Sequence, residues 1–146
     1  MRPLLIGVGN PLRRDDGVAH AVLEHFARMP GVHVRSLQQL TPETAAEMAG
    51  YDPVIVIDAD VSCSELMLRR LVVDAATAAR PFTHHVKPEE VIALSRLLFG
   101  FNGQAFLCRI PVSDLGPGVG LTPRAAELAR RATEEIRRLP EYETRR

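Results

Sequence analysis

Pro53-Val54-Ile55-Val56-Ile57-Asp58 limits the possible folds of this chain more than any other segment. Its β-branched residues favour an extended strand and leave no polar face for water, so the strand must be covered on both sides. A domain that buries such a strand is layered, with helices on the two faces of a central sheet.

The rest of the chain supplies those layers. Leu4, Leu5, Ile6 and Val8 form a short apolar run, residues 32–37 alternate as a second strand would, and residues 104–112 read as another strand. Val18, Val22, Phe26 and Met29 mark one face of a helix that Pro30-Gly31 stops. Thr41 and Pro42 suit the N-cap and first position of a short helix, and residues 88–98 read as helix, with Val91, Leu94 and Leu98 on one side. Thr122-Pro123 opens a last helix striped by Ala125, Leu128, Ala129, Ala132, Ile136 and Leu139. Residues 65–74 could add an antiparallel strand, but Met67, Leu68, Leu71 and Val72 leave its buried face open.

The expectation is a single-domain α/β three-layer sandwich: a twisted, mostly parallel sheet with helices on both faces. It spans residues 1–140. Pro140 is expected to end the last helix, and residues 141–146 to form a frayed polar tail.

At 146 residues the chain has the size of one domain. Lys plus Arg and Asp plus Glu number 18 each, for a formal net charge of +0, which lacks the excess of base typical of nucleic-acid binding. No apolar segment approaches the about 20 residues needed to span a bilayer. No signal-peptide pattern precedes the first strand. Cys63 and Cys108 form no C-x-x-C unit and read as reduced thiols. A cytoplasmic monomer is expected, with neither nucleic acid nor membrane as partner.

The chemistry is expected at the carboxyl edge of the sheet, where open α/β folds place their sites. The first strand runs into Gly7-Val8-Gly9-Asn10 and then into the acids Asp15 and Asp16. Glycine loops that cradle phosphate use backbone N–H groups and cations, and paired carboxylates would repel such a ligand. Asp58 ends the most buried strand, with Asp60 two residues on. If the first and third strands are neighbours, Asp16 and Asp58 meet, and a divalent cation or a shared proton would relieve their repulsion. His84 and His85 lie just before the helix opened by Pro88. Two carboxylates and an imidazole suit Ni²⁺ or Zn²⁺ with coordination positions left open.

Plainer roles compete with this one. Asp16 could cap the following helix, Asp58 could bond to turn amides, and the histidine pair could be solvated loop. Asp15 is expected to be structural or exposed. His20, His25 and His33 fall on a helix surface or a strand and are expected to have no function.

With these residues in view, the chain resembles the hydrogenase maturation proteases, small cytosolic endopeptidases that trim the large subunit of [NiFe] hydrogenases. Gly7 to Gly17, GVGNPLRRDDG, is similar to the family's G-x-G-N-x-L-x-x-D-[DE]-G signature. Val54 to Ala59 resembles its apolar strand ending in D-A, and Thr83-His84-His85 its S-x-H segment. Gln39-Leu40-Thr41-Pro42-Glu43 and Gly120-Leu121-Thr122-Pro123 agree with it as well. Thr83 stands where serine is usual, and Gly17-Val18-Ala19 lacks a glycine common in the family.

The resemblance implies that Asp16, Asp58 and His85, rather than His84, bind metal and carry the catalysis. It implies that the metal is nickel, held by cysteine thiolates of the large-subunit precursor and supplied by that substrate. Nickel then acts as a recognition element that reports a loaded precursor. No H-E-x-x-H zinc motif occurs in the chain. One carboxylate could serve as general base for the attacking water.

Two rivals remain. One is a nickel-sensing or chaperone protein that binds the precursor without cutting it. The other is a peptidyl-tRNA hydrolase, whose chains also open on a strand and a G-x-G-N-P turn. This sequence lacks the histidine–asparagine segment that follows there, and its neutral charge suits tRNA poorly.

Overall fold

A computed structural model describes residues 1–78 and 86–145. Its strands are β1 (Leu4–Val8), β2 (His33–Leu37), β3 (Val54–Asp60), β4 (Met67–Arg70) and β5 (Ala105–Pro111). They form one sheet in the order β2-β1-β3-β5-β4. The first four in that order run parallel, and β4 pairs antiparallel with β5 at the edge.

The helices are α1 (Val18–Phe26), α2 (Pro42–Met48), α3 (Ala75–Ala78), α4 (Pro88–Phe99), α5 (Pro123–Arg137) and α6 (Pro140–Arg145). Alternation along the strands divides the core in two. Leu5, Ile55 and Ile57 pack with Val22, Phe26, Ala129 and Ile136 of α1 and α5. Leu4, Ile6, Val54 and Val56 pack on the opposite face with Met48 of α2 and with Val91 and Ile92 of α4. All four apolar residues of β3 from Val54 to Ile57 are fully buried, two in each core. The three-layer sandwich expected from the sequence is therefore the fold.

Local signals set the helix ends. Thr122 precedes Pro123 and accepts a hydrogen bond from the Ala125 N–H through its hydroxyl, at 3.3 Å. The side chain of Glu90 accepts from the N–H of Lys87, ahead of Pro88, at 2.9 Å. At the far end of α4, Gly100 takes the left-handed conformation, φ +69°, that closes many helices.

Residues 65–74 contribute a strand of only four residues, β4, and Asp74 lies outside it. The larger departure is at the C-terminus. Pro140 begins α6 instead of ending the chain's ordered part, and residues 141–145 are helical, where a frayed tail was expected. The reason is Tyr142. Its ring is fully buried and meets Phe26 edge-on, with centroids 5.6 Å apart, while Glu141 pairs with Arg70 at 2.9 Å. One aromatic anchor fastens this polar segment to the α1 side of the sandwich. Among the described residues, no helix is long and apolar enough to cross a membrane.

Candidate active site

The parallel register aligns Val8 with Asp58, so the ends of β1 and β3 lie side by side at the carboxyl edge. After Val8 the chain turns at Gly9, whose φ is +147°. A Cβ on Gly9 would lie 2.0 Å from the carbonyl oxygen of Asp16, so only glycine lets the turn close against that segment. The Asn10 N–H donates to Asp16 Oδ2 at 2.7 Å, and the Leu12 N–H donates to Asn10 Oδ1 at 2.9 Å. A short 3₁₀ turn over Arg14–Gly17 then leads into α1. No side chain caps α1, whose N-cap is Gly17, so Asp16 is not a helix cap.

The two adjacent acids have different surroundings. Asp15 is 1% exposed. Its carboxylate accepts from the Thr122 N–H at 2.8 Å, the Thr122 hydroxyl at 2.9 Å and the Asp114 N–H at 3.5 Å. It ties the turn to the start of α5 and serves structure.

Asp16 instead lines a cleft of about 300 Å³ together with Asp58. Val8, Val56, Leu40 and Val86 add apolar wall. Burial, with help from the charges of Asp60 and Asp16, pushes the Asp58 carboxyl up from 3.8 to about 6, against the opposing pull of Arg109. Asp60 is held below the usual range by hydrogen bonds from Ser62, whose hydroxyl donates at 2.6 Å and whose N–H donates at 2.8 Å. The cleft thus joins an apolar wall to two carboxylates, one of which binds protons near neutral pH. A carboxylate in that condition can exchange a proton with water or accept a cation in its place.

His84 and His85 lie outside the described residues. Val86, next in the chain, and Pro88, at the start of α4, both line the cleft. Among the described residues, no group of three His, Cys, Asp or Glu side chains is placed to hold a metal ion. Asp16 and Asp58 are two carboxylates of the donor class that first-row divalent cations accept.

No protein-family model matches the chain, and no curated protein matches it in sequence. Solved structures do match. The hydrogenase maturating endopeptidase HybD from E. coli is 25% identical, with a TM-score of 0.66 over 93% of this chain and 90% of its own. An endopeptidase from Escherichia coli, solved in solution, is 26% identical with a TM-score of 0.70 and the same two coverages, 93% and 90%. The [NiFe] hydrogenase maturation protease HycI from Thermococcus kodakarensis, 19% identical, has a TM-score of 0.69 over 92% of this chain and 89% of its own, which speaks to the fold alone. This is the architecture of a hydrogenase maturation protease.

The likeness in fold and the opening motif together support a peptidase. Within this protease architecture, two residues near the cleft escaped the sequence reading. Arg109 of β5 is the register partner of Asp58 and pairs with Asp60 at 3.6 Å. Its signal was a lone charge in the apolar strand Ala105-Phe106-Leu107-Cys108-Arg109-Ile110. His20, expected to have no function, contacts the Gly9 carbonyl through Nε2 at 2.7 Å and the Ser36 hydroxyl through Nδ1. No spacing in the sequence pointed to that contact.

Neither cysteine is chemically poised. Burial pushes the Cys108 thiol up to about 12, and Cys63, whose thiol donates to the Asp60 carbonyl at 3.6 Å, is also raised.

Proposed function

We propose that this protein removes the C-terminal peptide from the nickel-loaded large-subunit precursor of a [NiFe] hydrogenase. Asp16 and Asp58, with His85, contact nickel that the precursor already holds through cysteine thiolates. The metal arrives with the substrate, as cargo to be read. The observation that carries this reading is the convergence of Asp16 and Asp58 on one cleft at the sheet edge. Two acids brought together in a partly apolar cleft favour a cation there over mutual repulsion.

The chain's own residues have distinct tasks. Asp16 is oriented by the Asn10 amide, which fixes one carboxylate oxygen and leaves the other for the substrate. Burial raises the Asp58 carboxyl to about 6 in the metal-free cleft, so at neutral pH the incoming cation takes the place of a loosely held proton. Val8, Leu40, Val56 and Val86 keep the surroundings of that carboxylate partly dry, which strengthens each charge interaction within them.

The test is the intact mass of nickel-loaded and nickel-free large-subunit precursor after incubation with the protein. Loss of a C-terminal peptide from the loaded form alone supports the proposal. Stable binding without a change in mass would instead favour a non-proteolytic nickel-sensing chaperone.

A further inference from the structure

We infer that His20 is a positioning residue, acting on Asp16 through a single peptide group. The inference rests on Asp16 being a working carboxylate of the proposed protease.

The peptide linking Gly9 to Asn10 is held at both ends. Its carbonyl, on Gly9, lies 2.7 Å from His20 Nε2, and its N–H, on Asn10, donates to Asp16 Oδ2 at 2.7 Å. A carbonyl oxygen only accepts, so Nε2 must carry the proton of this contact. In the neutral ring Nδ1 is then the acceptor, and the Ser36 hydroxyl donates to it. The Gly9 carbonyl thereby sets the tautomer, and the Ser36 hydroxyl, able to donate or accept, accommodates it and holds the ring in place.

The connections run from β2 through α1 to the cleft: Ser36, His20, the Gly9–Asn10 peptide, Asp16. The Gly9 N–H also donates to the Leu37 carbonyl at 3.0 Å, so the end of β2 supports the turn by two routes. A planar peptide cannot turn its N–H away from Asp16 while its carbonyl stays on His20. A donor on the carbonyl also polarises the amide, making its N–H a better donor to the carboxylate. A glycine with φ +147° has few steric limits of its own, so the peptide plane needs outside restraint. His20 supplies it.

The experiment compares wild type with His20→Phe, which keeps a ring and removes the donor, and His20→Gln, which keeps an N–H donor. Long-range proton–nitrogen spectra are expected to show a proton on His20 Nε2. In His20→Phe the Asn10 amide proton is expected to move upfield, and kcat on the nickel-loaded precursor to fall about 10–100-fold with little change in KM. His20→Gln is expected to restore both the shift and kcat to within about threefold of wild type. An Asn10 amide unmoved by His20→Phe overturns the inference, and so does a moved amide with unchanged kcat. If wild type leaves the precursor intact, the protease reading falls, and the Asn10 shift alone then decides whether His20 holds the turn.

Discussion

The two faces of the sheet treat their acids in opposite ways. Toward α1 and α5 the carboxyl edge is closed, because Asp15 is buried and accepts three hydrogen bonds from residues 114 and 122. Toward α2 and α4 it opens into the cleft shared by Asp16 and Asp58. Asp15 and Asp16 are adjacent in sequence, yet one is saturated with donors and the other faces a second carboxylate. A buried acid surrounded by donors holds a fold together. An acid with a like-charged neighbour and partial burial has chemistry left to do.

That contrast can be broken by mutation. The largest expected effect is on the open face: Asp16→Asn or Asp58→Asn should abolish precursor cleavage, a loss of about a hundredfold or more. Circular dichroism should show both variants folded. In the segment outside the described residues, His85→Ala should be equally damaging and His84→Ala mild, read in the same cleavage assay. A dead His84 variant beside an active His85 variant would exchange their assignments.

On the closed face the loss should appear in stability. Asp15→Ala removes three hydrogen bonds and strands the Thr122 donors, which should cost about 2–4 kcal/mol in denaturant unfolding. Tyr142→Ala should cost about 3 kcal/mol by emptying the site beside Phe26, read as a lower melting temperature. A melting temperature unchanged by Tyr142→Ala would return residues 141–145 to the status of a tail.

The finest distinction is one of pH. The Asp58 carboxyl titrates at about 6 in the folded chain against 3.8 as its ordinary value. Its folded form therefore prefers the proton. The stability linked to that proton is fully present below about 4 and is lost as pH rises through about 6. Asp58→Asn should flatten this part of the stability profile, and carbon-detected NMR should place the wild-type carboxyl midpoint near 6.

The layered fold could be read in the sequence because it rests on local pattern. The unbroken apolar run of β3 demands two covering layers, and the stripe of α5 names its own buried face. The pairing of Asp16 with Asp58 followed from strand adjacency. What could not be read depends on contacts distant in the chain. Asp15 and Asp16 are distinguished by a 3₁₀ turn whose inner acid bonds to Thr122, 107 residues away. His20 finds Ser36 and Gly9 only after β2 lies beside β1. In α6 a single tyrosine outweighs a composition that otherwise favours solvent, and pattern counting gives one residue little weight.

The most direct test of the central claim is the mass of nickel-loaded precursor incubated with wild type or with the Asp16→Asn/Asp58→Asn double variant. Wild type should release the C-terminal peptide, and the folded double variant should leave the precursor at full length. Cleavage by the double variant at the wild-type rate would contradict the assignment of the open face as the active site.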